Sequence, residues 1–318
     1  MALLDLVVSK RQVEAPGIVS LELKSAKADQ LPPFTAGSHV DVHLPGGLVR
    51  QYSLCNSPRE RDRYVLGVLK EVVSRGGSWA MHDLVVGETL QVSEPRNLFG
   101  LRDEAEHTVL LAGGIGVTPL LCMAKELAAR GASFEMHYCT RSIANTAFRD
   151  EIATSSIAPH VRFHHDDGAS GQQMSFPAVF ASPALRVHVY VCGPTGFIDA
   201  ALTSAQAHGW SPAQLHREYF TAPVEPSHDG GSFQVRILKT GQCIQIPENV
   251  TVMQALFEHG IEVPVSCEQG ICGTCITRVV EGIPDHRDIC MTDEEHARND
   301  QFTPCCSRSR SPVLVIDL

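Results

Sequence analysis

Cys267-Glu268-Gln269-Gly270-Ile271-Cys272-Gly273-Thr274-Cys275 sets three cysteines at the spacing C-x4-C-x2-C. With a fourth cysteine well downstream, this is the plant-type ligand pattern for a [2Fe–2S] cluster. Two irons bridged by two sulfides need four thiolates, and a tight loop can wrap three of them around one side. Gly270 and Gly273 supply backbone freedom where amide N–H groups must turn towards sulfur, a job that a Cβ would obstruct. Cys305 follows Cys275 after 29 intervening residues and completes the expected ligand set of Cys267, Cys272, Cys275 and Cys305. Spacing alone leaves Cys306 and Cys290 as competitors. Zinc is the alternative occupant, but structural zinc sites prefer two separated C-x2-C knuckles and the sequence holds one such pair.

The rest of the chain must then supply electrons. Its 318 residues allow two or three domains, each with its own core. Apolar content of 43% and charged content of 19% are those of a globular protein in water. A formal charge of −10 argues against nucleic acid or an anionic membrane as the main partner. Eleven cysteines are too sparse for a disulfide scaffold, and those outside the ligand set read as reduced thiols of a cytoplasmic protein. The N-terminus lacks a basic stretch followed by a secretory apolar core. Thr108 to Ala124 carries no charge, but Gly113, Gly114, Gly116 and Pro119 break it, so no membrane span is expected.

Residues 1–103 are rich in short alternating runs. Val40, Val42 and Leu44 alternate with His39, Asp41 and His43, and Pro45-Gly46-Gly47 turns the chain into a second run from Leu48 to Cys55. Tyr64 to Lys70 and Thr89 to Ser93 read as further strands, which points to a small antiparallel barrel with Val40, Val42 and Leu44 in its core. Two motifs stand out here. Arg50-Gln51-Tyr52-Ser53 sends a cation and an aromatic ring to one face of a strand, suited to a phosphate and a flavin edge. Arg75-Gly76-Gly77-Ser78 precedes a short predicted helix, Ser78 to Asp83, whose free N–H groups suit an anion.

These motifs resemble the flavin-binding module of the ferredoxin reductase superfamily, and within it the phthalate dioxygenase reductase family. Pro95-Arg96-Asn97-Leu98-Phe99 is similar to the segment that closes that module. The resemblance implies FMN, with Arg50, Gly76, Gly77 and Ser78 around its phosphate and Gln51, Tyr52 and Ser53 along the ribityl chain and ring. The residues themselves show an anion site and cannot count phosphates.

From residue 104 to 222 the character changes to α/β. The apolar run Thr108-Val109-Leu110-Leu111-Ala112 reads as a buried parallel strand. It enters Gly113-Gly114-Ile115-Gly116-Val117-Thr118-Pro119 and a helix that stops at Gly131. Strand, glycine turn and helix in that order are what a dinucleotide loop requires. Pro119 replaces the third glycine of G-x-G-x-x-G, and proline suits a first helical turn. The G-G-I-G-x-T-P form is the usual one in the superfamily. A second cue is Val187 to Val191 running into Cys192-Gly193-Pro194. By resemblance this turn lies beneath the nicotinamide, with Cys192 near the hydride path and Thr118 beside the carboxamide. The strand Phe134 to Cys139 ends in Thr140-Arg141, which favours a 2′-phosphate, whereas Asp166 and Asp167 after the next strand would oppose one. The resemblance favours NADH. It also puts an acidic or aromatic group of Arg217-Glu218-Tyr219-Phe220 near the flavin, with Phe220 covering the ring; an ordinary strand residue is the alternative.

Residues 223–231, rich in Pro and Gly, read as a linker. In residues 232–318 a hairpin of Phe233 to Leu238 and Cys243 to Pro247, a helix over about 252–259 capped by Thr251, the cluster loop and a last strand, Val313 to Leu318, follow the order of a plant-type ferredoxin. This part holds 7 Lys+Arg against 12 Asp+Glu. The group Asp293-Glu294-Glu295 is either a solvated face or an acidic docking surface.

The expected fold is therefore multidomain: an antiparallel β-barrel flavin domain, an α/β parallel-sheet nucleotide domain and an α+β (β-grasp) ferredoxin domain. The family resemblance implies an enzyme, a monomer that relays electrons from NADH through FMN and [2Fe–2S] to a transiently docked terminal Rieske non-haem iron oxygenase acting on an aromatic acid. A free-standing NAD(P)H-dependent ferric, flavin or quinone reductase and a non-catalytic redox sensor are the alternatives.

Overall fold

The computed structural model describes residues 3–27, 30–72, 74, 76–220 and 230–318; Arg75 and residues 223–229 of the expected linker lie outside them. The chain forms two compact units, Met1–Phe220 and Thr221–Leu318.

The first unit begins with strands β1 (Leu3–Ala15), β2 (Ile18–Ser25), β3 (Ser38–Leu44), β4 (Leu48–Ser53) and β5 (Tyr64–Leu69). Helix α1 (Gly77–Asp83) and strands β6 (Thr89–Ser93) and β7 (Arg96–Asn97) follow. Antiparallel pairing runs β4-β3-β6-β1-β2-β5, with β7 on β3. A bridge from Leu54 to Leu66 and a bond from Cys55 N–H to Val65 O (3.0 Å) close the sheet on itself. Leu21, Leu23, Val40, Val42 and Leu66 are fully buried inside, each contributing about 1.5–3 kcal/mol.

One expectation needs amendment. Alternation placed His39 and Asp41 outside, yet both are buried. The cause is β7, which pairs edge to edge with β3 and places Arg96 beside His39, so that its side chain reaches along that face and donates to Asp41 at 2.6 Å; Asn97 donates to Thr35 and to Ala36 O at 2.7 and 2.8 Å.

Next comes an alternating α/β segment with β8 (His107–Gly113), α2 (Val117–Arg130), β9 (Phe134–Thr140), α3 (Arg149–Thr154), β10 (Val161–His165), α4 (Phe176–Val179), β11 (Val187–Cys192), α5 (Thr195–Ala207) and β12 (Leu215–Glu218). Its five strands are all parallel, in the order β10-β9-β8-β11-β12. The chain leaves β8 towards β9 and later returns to β8's other side with β11. Loops diverge at that switch point, where open sheets of this kind bind ligands.

Barrel and parallel sheet share one core. Gly67 of β5 makes room for the sheet, since a Cβ there would lie 2.6 Å from Thr118 Cγ2 and 3.0 Å from Phe148 Cζ. Phe99 packs edge-on against Tyr190 at 5.6 Å between centroids, a contact worth about 0.5–1.5 kcal/mol beyond area. Lys125 ties the two by donating to Cys55 O at 2.8 Å and pairing with Glu151 at 2.6 Å.

The second unit contains β13 (Phe233–Ile237), β14 (Cys243–Ile246), α6 (Val252–Glu258), β15 (Thr277–Glu281), β16 (Pro284–Asp285), α7 (Asp293–Arg298), β17 (Gln301–Phe302), β18 (Arg308–Ser309) and β19 (Val313–Ile316). The main sheet runs β14-β13-β19-β15-β17, with β13 and β19 parallel. Val252, Ala255 and Leu256 bury the inner face of α6 against it. The helix starts as expected at Thr251, in a capping box with Gln254. Buried Arg308 pins the unit's beginning, donating to Val250 O, Gly231 O and Pro247 O and lying 5.2 Å over the Phe233 ring. Among the described residues, no helix is long and apolar enough to cross a membrane.

Candidate functional site

Strand β4 carries Arg50, Gln51, Tyr52 and Ser53 towards the seam between barrel and parallel sheet. Its register with β3 pairs Arg50 with Val42, Tyr52 with Val40, and Ser53 with His39. Arg50 lies over the start of α1: a Cβ on Gly77 would fall 2.4 Å from Arg50 Cγ and 2.7 Å from its Nε. Gly76, at φ +90°, makes the turn into that helix. Ser78 is engaged locally, accepting from Glu71 N–H at 3.1 Å and donating to Ser74 at 3.0 Å. Gln51 Nε2 is buried without a hydrogen-bond partner. A buried donor left unpaired costs roughly 1–3 kcal/mol, so this amide fits a bound group that offers acceptors, as a flavin does.

At the switch point the loops after β8 and β11 touch backbone to backbone. A Cβ on Gly116 would lie 2.3 Å from Cys192 O and 2.5 Å from Gly193 N, and one on Gly193 would lie 2.9 Å from Gly113 Cα. A Cβ on Gly113 would lie 3.0 Å from Pro194 Cδ and from Phe197 Cδ1, while one on Gly114, at φ +53°, would meet open space. The two glycine motifs are therefore one construction, and the cradle between them would be filled by side chains. Thr118 is buried at the first turn of α2 and donates to Ile115 O at 3.1 Å. We expect Gly116→Ala to raise KM for the nicotinamide substrate at least tenfold and to cost about 1–3 kcal/mol of stability through overpacking. Unchanged KM and unchanged melting temperature would contradict this.

Between β4 and the loops sits Glu218, at the end of β12. Ser53 Oγ donates to Glu218 Oε2 at 3.3 Å, and Glu218 pairs in parallel register with Cys192. Burial pushes the Glu218 carboxyl up to about 8. Cys192 is fully buried, and burial together with the Glu218 charge holds its thiol well above the usual range. The resemblance put an acidic or aromatic group of this segment near the flavin and singled out Phe220; the contact of Glu218 with residues 53 and 192 comes only from the fold. Phe220, two residues further on, is 41% exposed.

Thr140 and Arg141 end β9. The Thr140 hydroxyl is engaged by Thr146 at 2.8 Å and His165 at 2.9 Å, while Arg141 is exposed. The two acidic residues do lie beside them: Asp166 N–H donates to Thr140 O and Asp167 N–H to Arg141 O, at 3.1 and 3.2 Å.

In the second unit the cysteine loop turns at Gly270 (φ +71°) and Gly273 (φ +64°). Gln269 and Ile271 N–H groups each point at Cys267 Sγ at 3.4 Å. A hydrogen bond from the Cys267 thiol and further ones from Thr274 draw the Cys272 thiol below its usual range. Cys305 is hydrogen-bonded to Cys275 and to Cys306 and receives the Gly270 N–H. Its position is fixed from α6, where Met253 N–H donates to Pro304 O at 3.0 Å. Clustered thiols supplied with backbone donors fit an iron–sulfur cluster, whose sulfurs need such bonds.

Residues 235–310 match the family model described as a 2Fe-2S iron-sulfur cluster binding domain. The chain is similar to a vanillate O-demethylase oxidoreductase of Pseudomonas sp. (strain HR199 / DSM 7063), with 55% identity over 317 residues that cover 99% of this chain and 100% of that one. Its structure is similar to phthalate dioxygenase reductase, described as a modular structure for electron transfer from pyridine nucleotides to [2Fe–2S], with a TM-score of 0.74, 38% identity and coverage of 100% and 98%. It is also similar to part of an intact type IV self-sufficient cytochrome P450 monooxygenase, with a TM-score of 0.90 and 38% identity, covering 99% of this chain and 41% of that one. With barrel, parallel sheet and cysteine loop all matched in one chain, the protein belongs to the phthalate dioxygenase reductase family, oxidoreductases that pass electrons from pyridine nucleotide to a [2Fe–2S] centre.

Proposed function

We propose that this chain is the NADH-dependent reductase component of a two-component oxygenase system, feeding a Rieske-type oxygenase that demethylates or hydroxylates an aromatic acid of the vanillate or phthalate kind. The observation that carries the proposal is the convergence of Ser53, Cys192 and Glu218, which joins the flavin-facing strand to the nicotinamide loops. Residues 1–103 form the flavin domain, 104–222 the nucleotide domain, 223–231 the linker and 232–318 the ferredoxin. When bound, FMN and NADH supply hydride transfer, and the [2Fe–2S] cluster carries single electrons onward.

The chain's own residues bind and orient. Arg50 holds the FMN phosphate over Gly76, Gly77 and Ser78, and Gln51, Tyr52 and Ser53 line the ribityl chain and ring. Gly113, Gly114, Gly116, Gly193 and Pro194 let backbone approach the dinucleotide, Thr118 and Cys192 flank the nicotinamide, and Phe220 covers the flavin until the nicotinamide enters. Thr140 and Arg141 meet the adenosine ribose, where Asp166 and Asp167 disfavour a 2′-phosphate. Cys267, Cys272, Cys275 and Cys305 ligate the cluster. Docking of the oxygenase is transient, and the reductase works as a cytoplasmic monomer.

The test is NADH oxidation by the loaded protein with cytochrome c as acceptor, then with the oxygenase and an aromatic acid. Turnover of free ferric iron or quinone that matches or exceeds transfer to every oxygenase tried would overturn the reading. The acidic helix α7 gives a second check. Glu295 there is a structural cap, accepting from Thr292 N–H at 2.8 Å, so charge reversal belongs at the neighbouring Asp293 and Glu294. Asp293→Lys with Glu294→Lys should raise KM for the oxygenase several-fold at low salt, with the difference shrinking at high salt. Equal KM values at low salt would remove the acidic docking surface.

A further inference from the structure

Outside the cysteine loop, the second unit gathers His286, Asp288 and His296 so that one ligand atom of each lies within 4.8 Å of the others. We propose that these three side chains form a binding site for a divalent first-row transition cation.

The donor set comes first. The Asp288 side chain is fully buried, and the His286 side chain is 9% exposed. Asp288 Oδ2 lies 3.2 Å from His296 Nε2, and its Oδ1 lies 3.8 Å from His286 Nδ1. Neighbouring ligands around a tetrahedral Zn²⁺ with bonds near 2.0–2.1 Å stand roughly 3.4 Å apart, so both separations are close to a coordination shell. Two imidazoles and a carboxylate suit zinc and its first-row neighbours.

The second observation concerns His286. Both of its ring nitrogens are buried and neither reaches good hydrogen-bond geometry, the Asn299 side chain and the His296 backbone being the polar groups nearby. A buried imidazole normally finds a well-formed bond, and leaving a polar atom unpaired costs roughly 1–3 kcal/mol. A cation would recover that cost.

The supports of a ligand shell are also present. Met291 N–H donates to Asp288 Oδ2 at 3.0 Å and Thr303 Oγ1 to Oδ1 at 3.4 Å, orienting the carboxylate from behind. The Cys290 thiol reaches the same Oδ2 at 3.4 Å and is a further donor within range. The two rings stack at 4.3 Å and 16°, so their lone pairs run side by side. Coordination therefore requires one ring to turn about its Cβ–Cγ bond, and His286, which makes no hydrogen bond of good geometry, is the one to turn, since His296 already bonds Asp288. Ile289 N–H donates to Gly270 O at 3.0 Å, so an ion here would clamp residues 286–296 beside the cysteine loop.

The experiment uses the full chain loaded with flavin and cluster, with iron content measured beforehand. Zn²⁺ is titrated calorimetrically into wild type, His286→Gln and His296→Gln. The expected result is one site per wild-type chain, weakened at least tenfold in both variants while iron content stays at the wild-type level. His296 is the more exposed of the two, so His296→Gln decides the matter should His286→Gln fail to load iron. Absence of binding to the iron-replete wild type, or equal binding by His296→Gln because zinc occupies other histidines, overturns the site.

Discussion

Cys305→Ser is expected to abolish the visible absorbance of the [2Fe–2S] cluster and all cytochrome c reduction by NADH, whereas Cys306→Ser and Cys290→Ser keep both. The three thiols sit in different surroundings. Cys305 bonds to Cys275 and accepts the Gly270 N–H, as a ligand sulfur should. Cys306 bonds to Cys305 but is also held from the other side: its sulfur lies 3.2 Å from Thr303 Oγ1 and fills the space a Cβ on Gly270 would need, at 2.6 Å. Cys290 leans away onto the Asp288 carboxylate, its sulfur 3.4 Å from Oδ2. A serine in place of one ligand removes a soft thiolate that iron requires. NADH reduction of ferricyanide, a small acceptor that can meet the flavin directly, should survive in Cys305→Ser. Iron analysis and the absorbance spectrum decide the point. A normal cluster spectrum in Cys305→Ser, or its loss in Cys306→Ser alone, would reassign the fourth ligand.

The second large effect concerns Glu218. Glu218→Ala should slow NADH-driven flavin reduction by about 10²-fold, the low end for a group that handles or positions a proton at a reacting centre. Glu218→Gln should separate the charge from the shape. At pH 7 a carboxyl raised to about 8 is mostly protonated, so glutamine mimics it and the rate stays within a few-fold. The variants part as pH rises through 8, where the wild type acquires a carboxylate beside Cys192 and Gln does not. Stability follows the same group. A carboxyl with a folded pKa of about 8 rather than 4.5 binds its proton more tightly in the native chain. Its contribution is complete below the unfolded value and is lost as pH rises through the folded one, so stability declines between about 4.5 and 8. Glu218→Gln removes that decline, so its melting temperature should pull ahead of the wild type's from about pH 5 upward, with the gap levelling off above about 8. Stopped-flow reduction and thermal melts across pH test both statements. Parallel pH profiles for wild type and Glu218→Gln would show that this carboxyl does not titrate in the window.

The sequence by itself determined what depends on spacing along one strand or loop. The cysteine loop, the glycine turn after β8, the Cys192-Gly193-Pro194 turn and the N-cap at Thr251 are local constructions, fixed by backbone conformations that few residues adopt. Apolar periodicity likewise marked β3, β6, β8 and β11, because burying one or both faces of a strand writes a pattern into neighbouring residues. The long strand β1 escaped notice, since its later half is largely exposed and carries Lys10 and Arg11 where alternation would show. The burial of His39 and Asp41 was equally illegible, because it depends on Arg96, 55 residues from Asp41.

Only the tertiary structure decided the meetings. Ser53 and Glu218 are 165 residues apart, and neither their contact nor the carboxyl's raised pKa has a trace in either segment. The same holds for the meeting of His286, Asp288 and His296, where the sequence showed only the acidic group Asp293-Glu294-Glu295. A motif records what a segment must do to its own backbone, whereas burial and the field at a side chain are set by whichever distant segment is packed against it.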